Sequence, residues 1–418
     1  MSVLNFRKLT SILSGNFIVV ASTFIVASIL VSKAGLAEYG KFITNQAILL
    51  AMAILFKPST WVAVVRYRDK LNLGTLAFLS ISVELAFSIC SALFFYVSSI
   101  FYKFEFFEFI YSNFIVVFLY VFVINSGCFL GVFRATERYF FISMLIGLGA
   151  LLKIGLAALL YYDVNLLLIY CVAFDIALWF LASVYSLYSV RSRSYLTDVD
   201  FSSLKEFLRV SMTSSISQIL DLPLTQLDRV IIAAIAGDAA AGIFNLLRRL
   251  SALFNQLGEP LYQVYYRYFS SNDFSLLNFN YSETIAISLR KIGLPIFVCL
   301  IFYPLVINYV DMYFFNSNLN GYYLTLFLFL LTSSFSVIFV WINPLYYIHV
   351  SEYRTIYVTF VSNLTYVSSI FVVFYYFKVE LSFVCIMIQL ALSYYMKFFG
   401  VTNKIYLIKK NITRDFAP

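Results

Sequence analysis

The sequence predicts an all-α polytopic membrane protein: twelve transmembrane helices in two six-helix lobes, related by a pseudo-twofold axis along the membrane normal. Three observations predict it. The chain is 62% hydrophobic and only 12% charged, whereas a soluble domain carries about a quarter charged residues. Its mean hydropathy is +0.88. Its apolar residues gather into long continuous runs such as LLKIGLAALLYY, not the short alternating segments of a β-barrel. Helices satisfy every backbone group within one segment, which lipid demands.

The runs place spans near 12–32, 42–57, 75–100, 109–133, 139–161, 165–188, 207–236, 241–266, 285–310, 321–344, 354–377 and 381–401. Each covers ~30 Å of hydrocarbon at ~1.5 Å per residue. Charge returns between them with an alternating bias. Arg7 and Lys8 precede the first span, and Lys57, Arg66, Arg68 and Lys70 follow the second. Arg134 and Arg138 follow the fourth, and Arg191, Arg193, Lys205 and Arg209 join the sixth to the seventh. Arg267, Arg290, Lys291, Arg354 and the tail Lys404, Lys409, Lys410 and Arg414 continue the series, while the opposite loops hold only Lys33, Lys41, Lys103 and Lys378. The positive-inside rule then puts both termini in the cytoplasm. The net charge of +8 is this orientation signal and needs no nucleic acid. A cleavable signal peptide is not expected, because the first apolar run is too long and eleven more come after it.

Cys90, Cys128, Cys171, Cys299 and Cys385 all fall inside spans without a CxxC spacing. They read as small packing residues. The one histidine, His349, is expected in a short cytoplasmic loop. Neither a metal site nor a histidine-based catalytic triad is expected.

An internal repeat supports the lobes. Gly35, Gly40, Phe42 and Pro58 fit G-x4-G-x-F-x15-P, and Gly237, Gly242, Phe244 and Pro260 fit it again 202 residues later. Both copies fall between the first and second spans of a half and run in the same direction, the plan of parallel transporter repeats. The lobes are expected at 1–190 and 207–418, joined by a polar cytoplasmic linker at 191–206.

The run LPLTQLDRVIIAAIAGDAAAGIFNLLRRL followed by Pro260, together with GLAEYGKF and GVFRATERYF, resembles the signatures of polysaccharide-exporting transporters. These belong to the multidrug/oligosaccharidyl-lipid/polysaccharide superfamily, and the O-antigen repeat-unit flippases are the most similar branch. The resemblance implies transport of an undecaprenyl-diphosphate-linked oligosaccharide from the cytoplasmic to the periplasmic leaflet of a bacterial inner membrane, by alternating access. It implies no covalent chemistry and no cofactor, with proton or Na+ coupling as the open energetic question. Implied partners are the lipid-linked glycan, membrane lipid, a polysaccharide polymerase and a chain-length regulator.

Ionisable residues inside spans mark pathways or pairs. Span seven carries Ser211, Ser214, Gln218, Asp221, Thr225 and Asp228 at steps of three and four, one helical face. That stripe is either a buried hydrogen-bonded seam or the wall of a hydrophilic cavity. Span eight adds Asn245, Arg248, Arg249, Asn255, Gln256 and Glu259. Folded back at Ala239, the hairpin sets Asp228 and Arg249 at similar depth, so a salt bridge is expected, with Arg229 nearby. Lys153 in span five and Asp175 in span six lie at matching depth from the turn near Asp163. They form either a neutralised pair or a cavity wall bearing Lys153. Glu84 in span three has no obvious basic partner. Low dielectric favours the neutral carboxyl, so Glu84 either takes up a proton during transport or stays protonated throughout. Arginine offers a diphosphate bidentate hydrogen bonds, which makes Arg248, Arg249 and Lys153 the leading substrate contacts, with Arg229, Gln218 and Thr225 beside them. Asp175, Asp221, Asp228, Glu259 and Glu84 are the candidate coupling carboxylates. Pro223, Pro295 and Pro304 should bend or loosen their helices.

A small-molecule or drug cation antiporter of the same superfamily is the second reading, but it favours an acidic cavity with fewer cations. A membrane polysaccharide polymerase or glycosyltransferase needs a large outer loop with catalytic residues. The longest here, NYVDMYFFNSNLN, offers one carboxylate.

Overall fold

The computed structural model describes residues 6–68, 70–101, 113–124, 126–136, 138–190, 201–255, 258–269, 276, 279–350 and 352–415. Every regular element of these is helical. The first half runs α1 (Phe6–Lys33), α2 (Leu36–Phe56), α3 (Thr60–Tyr67), α4 (Leu73–Phe101), α5 (Phe114–Val123), α6 (Gly127–Ala135), α7 (Tyr139–Leu160) and α8 (Val164–Val190). The second runs α9 (Phe201–Leu222), α10 (Asp228–Ala236), α11 (Asp238–Asn255), α12 (Gly258–Phe269), α13 (Tyr281–Ser288), α14 (Leu294–Phe314), α15 (Tyr323–Ile338), α16 (Ile342–His349), α17 (Glu352–Tyr376) and α18 (Phe383–Asp415). Residues 191–200, most of the expected linker, lie outside the described residues.

The described parts of the twelve expected spans are largely helical. Among the described residues, eight helical segments are long and apolar enough to cross a membrane, and α15 with α16, bent by 44°, makes a ninth. The other three differ for reasons written in their residues. The described apolar part of α1 is only Phe17–Lys33. The spans at 207–236 and 241–266 carry the polar stripe and the arginines, which dilute their hydropathy.

Two sequence expectations are corrected here. The basic stretch after span two is not simply a loop: Thr60–Tyr67 is a helix, packed against α6, α9 and α4. Its Ala63, Val64 and Tyr67 join Leu76, Leu79, Val83 and Phe207 in one buried cluster. His349 likewise ends α16 instead of lying in a loop.

Pro223 and Pro295 lie at breaks in regular α-helix, as expected, while Pro304 lies inside continuous α14. A π-helical turn at Pro223–Leu227 separates α9 from α10, and another at Leu289–Gly293 precedes the Leu294–Pro295 start of α14. A π turn inserts one residue and rotates the helix beyond it, so the stripe of span seven does not continue on one straight face.

The chain divides into two compact units: an N-unit of residues 10–34 and 41–230, and a C-unit of residues 1–9, 35–40 and 231–418. In the C-unit, Phe244 of the second repeat copy is fully buried, edge-on to Phe329 and Phe374. The repeat itself is visible there. Gly35 and Gly237 both adopt positive φ, +93° and +86°, the conformation glycine takes without penalty at a helix end. A Cβ on Gly40 would fall 1.8 Å from the Asp238 carbonyl oxygen, and one on Gly242 would fall 2.6 Å from the Leu36 carbonyl oxygen. Leu36 and Asp238, like Gly40 and Gly242, are 202 positions apart. The two copies therefore touch through the same contact made twice, as a twofold relation requires.

Candidate functional site

A buried polar cluster of the N-unit surrounds a break in span four. The chain leaves α5 at Ile124 in an extended conformation and re-enters helix at Gly127. Such a break exposes carbonyls at one helix end and N–H groups at the next, and lipid offers them no partner. Lys57 supplies the first end, donating from Nζ to Phe122 O at 2.7 Å and Ile124 O at 2.6 Å. Glu84 supplies the second, accepting the Gly127 N–H on Oε1 at 2.7 Å. The two side chains pair, Lys57 Nζ to Glu84 Oε2 at 3.3 Å. Both are buried. This corrects the expectation that Glu84 lacks a basic partner, and it takes Lys57 out of the loop charges.

Small hydroxyls complete the shell. Thr60 Oγ1 donates to Glu84 Oε1, and Ser80 Oγ lies 3.2 Å from the same oxygen. Gly127 cannot carry a side chain here, since its Cβ would fall 1.8 Å from Thr60 Oγ1. Next along the Lys57-Pro58-Ser59-Thr60 turn, the Ser59 N–H donates to Ser215 Oγ at 2.8 Å and Ser59 Oγ donates to Gln218 Oε1 at 2.8 Å. This part of the span-seven stripe is therefore a hydrogen-bonded seam within the N-unit. Gln218 takes part as a structural contact, and Ser215, which the stripe omitted, joins it.

The expected pair in spans five and six is formed: Lys153 Nζ lies 2.7 Å from Asp175 Oδ2. The side chains keep 26% and 14% of their surface exposed, far more than the Lys57–Glu84 pair. Gly149 sits one turn before Lys153; a Cβ there would lie 3.3 Å from Leu178 Cδ1 and in ordinary contact, 3.8 Å, with Asp175 Oδ1.

Further along span seven, Thr225 Oγ1 donates to the Asp221 carbonyl at 2.9 Å, and Asp221 is half-buried while Thr225 is exposed. Asp228 is fully buried. Its Oδ1 accepts the Arg229 N–H at 2.8 Å and lies 3.9 Å from Arg229 Nε. The Arg229 guanidinium also donates to Thr225 O at 3.2 Å and reaches Gln226 Oε1 at 3.5 Å.

In the C-unit, Arg248 and Arg249 are half-buried neighbours on α11. Buried Tyr366 lies within electrostatic reach of Arg248. Asn245, one turn earlier and fully buried, donates from Nδ2 to Tyr39 Oη at 2.8 Å. The side chains of Asn255, Gln256 and Glu259 lie outside the described residues. Asp311, the carboxylate of the longest expected outer loop, is buried at the end of α14. It accepts the Leu319 N–H at 2.9 Å and the Tyr323 hydroxyl at 2.8 Å, so it closes a turn.

Lys57 is the residue that sequence reasoning missed as a buried group. The signal was present: Glu84 needed a cation, and a lysine directly before a proline ends span two. Chemically, these groups offer ion pairs and hydrogen bonds. Among the described residues, no group of three or more His, Cys, Asp or Glu could hold a metal.

The comparisons agree with this architecture. In solved structures, the chain is similar to an inward-facing multidrug resistance MATE family transporter of the MOP superfamily, with TM-score 0.63, 18% identity, and 93% of this chain and 96% of that one covered. It is similar to an outward-facing one with TM-score 0.57, 18% identity, and 97% and 96% covered. A MOP superfamily transporter from Pyrococcus furiosus, described as having a binding pocket of reverse polarity, matches with TM-score 0.53, 17% identity, and 97% and 96% covered. No curated protein matches the chain in sequence. At these identities the likeness shows the fold: a multi-pass, two-lobed, MATE-like transporter fold. The family described as polysaccharide biosynthesis protein matches residues 6–273, well over half of the sequence, and the chain belongs to that family.

Proposed function

We propose that this protein is a flippase that carries undecaprenyl-diphosphate-linked polysaccharide repeat units, of the O-antigen kind, from the cytoplasmic to the periplasmic leaflet of the bacterial inner membrane by alternating access. One observation carries the reading: a chain of the polysaccharide biosynthesis family has the fold of a transporter, which supports a part in polysaccharide assembly by movement rather than bond formation. Arg248 and Arg249, consecutive on α11, each offer a positive charge and a planar donor fork suited to phosphate oxygens. Lys153 is the second candidate, because its ammonium is held by Asp175 yet remains partly exposed.

The test is complementation. A cell lacking its own repeat-unit flippase, given this gene together with the glycan genes of its source, should regain surface polysaccharide. Persistent accumulation of lipid-linked repeat units on the cytoplasmic side, with the protein at normal abundance, would sink the proposal. The fold likeness to multidrug transporters favours one second reading, a small-cation antiporter. Drug resistance without restored polysaccharide would select it.

A further inference from the structure

Helices α15 and α18 of the C-unit leave an apolar trough of 490 Å³ between them. Leu328, Leu331 and Phe335 line it from α15, and Phe383, Met387 and Ala391 from α18. Its lining runs from Leu328 to Ile342 on one side and from Phe383 to Phe398 on the other, roughly 20 Å at ~1.5 Å per residue. That is most of the ~30 Å hydrocarbon thickness. Three of the four polar side chains on the wall, Thr332, Ser336 and Tyr394, are turned to the backbone or to each other. Thr332 Oγ1 donates to Leu328 O at 2.8 Å, and Tyr394 Oη donates to Ser336 O at 3.0 Å. The wall presents hydrocarbon.

One end is different. Where span ten bends by 44°, Asn343 comes directly after the lining residue Ile342, and Lys397 precedes the lining residue Phe398. Lys397 Nζ donates to Asn343 Oδ1 at 2.8 Å, a polar bridge from α18 to α16. An ammonium carries three donors, so it can hold Asn343 and a phosphate oxygen together. The ring of Tyr281 packs edge-on to Phe398 at 5.2 Å and lies 6.4 Å from the ring of Trp341. The Tyr281 hydroxyl and the Trp341 Nε1–H are buried with no hydrogen-bond partner among the described residues. Buried donors left in this way call for an acceptor. The trough therefore pairs a long apolar wall with an end rich in donors, the complement of a lipid tail that carries an anionic phosphate.

We propose that this trough seats the polyisoprenyl chain of the lipid-linked substrate, with its phosphate at Lys397 and Asn343; this rests on the flippase reading. A single trough suits a lipid with one chain, whereas a diacyl phospholipid would leave its second chain outside. Tail and head then have separate fixed contacts, and the wall can hold the carrier while the glycan passes.

Photolabelling of the full-length protein in phosphatidylethanolamine nanodiscs tests this. The probe is undecaprenyl phosphate bearing a diazirine in its chain. Adducts are expected in Leu331–Phe339 and Met387–Phe398, removed by unlabelled undecaprenyl phosphate but not by phosphatidylglycerol. Ala391→Trp fills the trough and should abolish these adducts. Lys397→Gln should weaken competition by about tenfold or more, the loss expected for one charge-assisted hydrogen bond, and Lys397→Arg should retain most of it. Equal competition by phosphatidylglycerol would reduce the trough to ordinary lipid contact and overturn the proposal, as would adducts only elsewhere. Labelling reads binding to the purified protein, so it separates from complementation. Labelled trough without restored polysaccharide would reject the flippase reading alone, and restored polysaccharide without labelling would reject the trough alone.

Discussion

Lys57 and Glu84 form a buried ion pair, 3.3 Å between Nζ and Oε2, whose charges sit at the two helix ends exposed by the break in span four. Each has the sign its helix end prefers: the cation at the C-terminus of α5 and the anion at the N-terminus of α6. The pair therefore neutralises itself and also closes the backbone.

This dual role gives an unusual expectation. Lys57→Ala or Glu84→Ala should each destabilise by about 3–5 kcal/mol, the effect of leaving one buried charge alone. The double variant should recover little, because the carbonyls at Phe122 and Ile124 and the Gly127 N–H lose their partners whatever the charge balance. Glu84→Gln should be milder than Glu84→Ala, since its amide oxygen still accepts from Gly127. Thermal unfolding in detergent checks the series. Full recovery in the double variant would show that only charge balance matters.

Lys153 and Asp175 should behave in the opposite way. Their 2.7 Å contact is not part of a backbone closure. Lys153→Ala and Asp175→Ala should each lower membrane abundance, and the double neutral variant should regain much of it. Additive losses across the set would mean that the two residues act independently.

The glycine repeat makes a steric prediction. Gly40→Ala sets a methyl carbon against the Asp238 carbonyl and Gly242→Ala sets one against the Leu36 carbonyl, and backbone cannot swing aside. Both should abolish export or accumulation. Gly35→Ala meets no atom within 4 Å and should lose only the roughly 1–2 kcal/mol of a positive φ. Abundance and surface polysaccharide, measured together, rank the three; a neutral Gly40→Ala would contradict the contact.

Periodicity made much of this legible. The long apolar helices could be placed because unbroken apolar runs have few alternatives, and the Lys153–Asp175 pair emerged from counting residues either side of one turn. The repeat was readable as spacing, but not that its copies touch. Lys57 was hidden because a lysine at a span end reads as an orientation charge; only the path of α3, a helix within a basic stretch, brings it beside Glu84. The polar stripe of span seven assumed 3.6 residues per turn throughout, and the π turn at Pro223 breaks that assumption between Asp221 and Asp228. Helical counting also passed over Ser215, whose bond to Ser59 depends on a neighbour 156 positions away.

Topology is tested separately. The basic residues predict both termini and the 189–206 stretch on the cytoplasmic side. Fusions at Val190 and after Lys410 should fluoresce with a cytoplasm-active reporter and give no periplasmic phosphatase activity. A periplasmic signal at either point would overturn the twelve-span topology.

The last expectation concerns substrate charge. Arg248 and Arg249 are adjacent and half-buried on α11, a helix whose neighbouring turn carries buried Asn245 bonded to Tyr39. Two guanidiniums at this depth in a membrane protein are costly unless they serve a pair or a pathway, and a diphosphate is the anion that the flippase reading supplies. Replacing both with glutamine should abolish export while leaving the protein in the membrane. Replacing both with lysine should retain part of it, because lysine keeps the charge but loses the planar fork that grips two phosphate oxygens at once. The assay is surface polysaccharide in a flippase-null cell, with membrane abundance measured alongside. Normal polysaccharide from the glutamine variant at normal abundance would remove both arginines from the phosphate contact and leave Lys153, alongside the trough's Lys397, as the remaining candidate for it. In that case Lys153→Gln paired with Asp175→Asn, which keeps the site neutral, should be the combination that stops export.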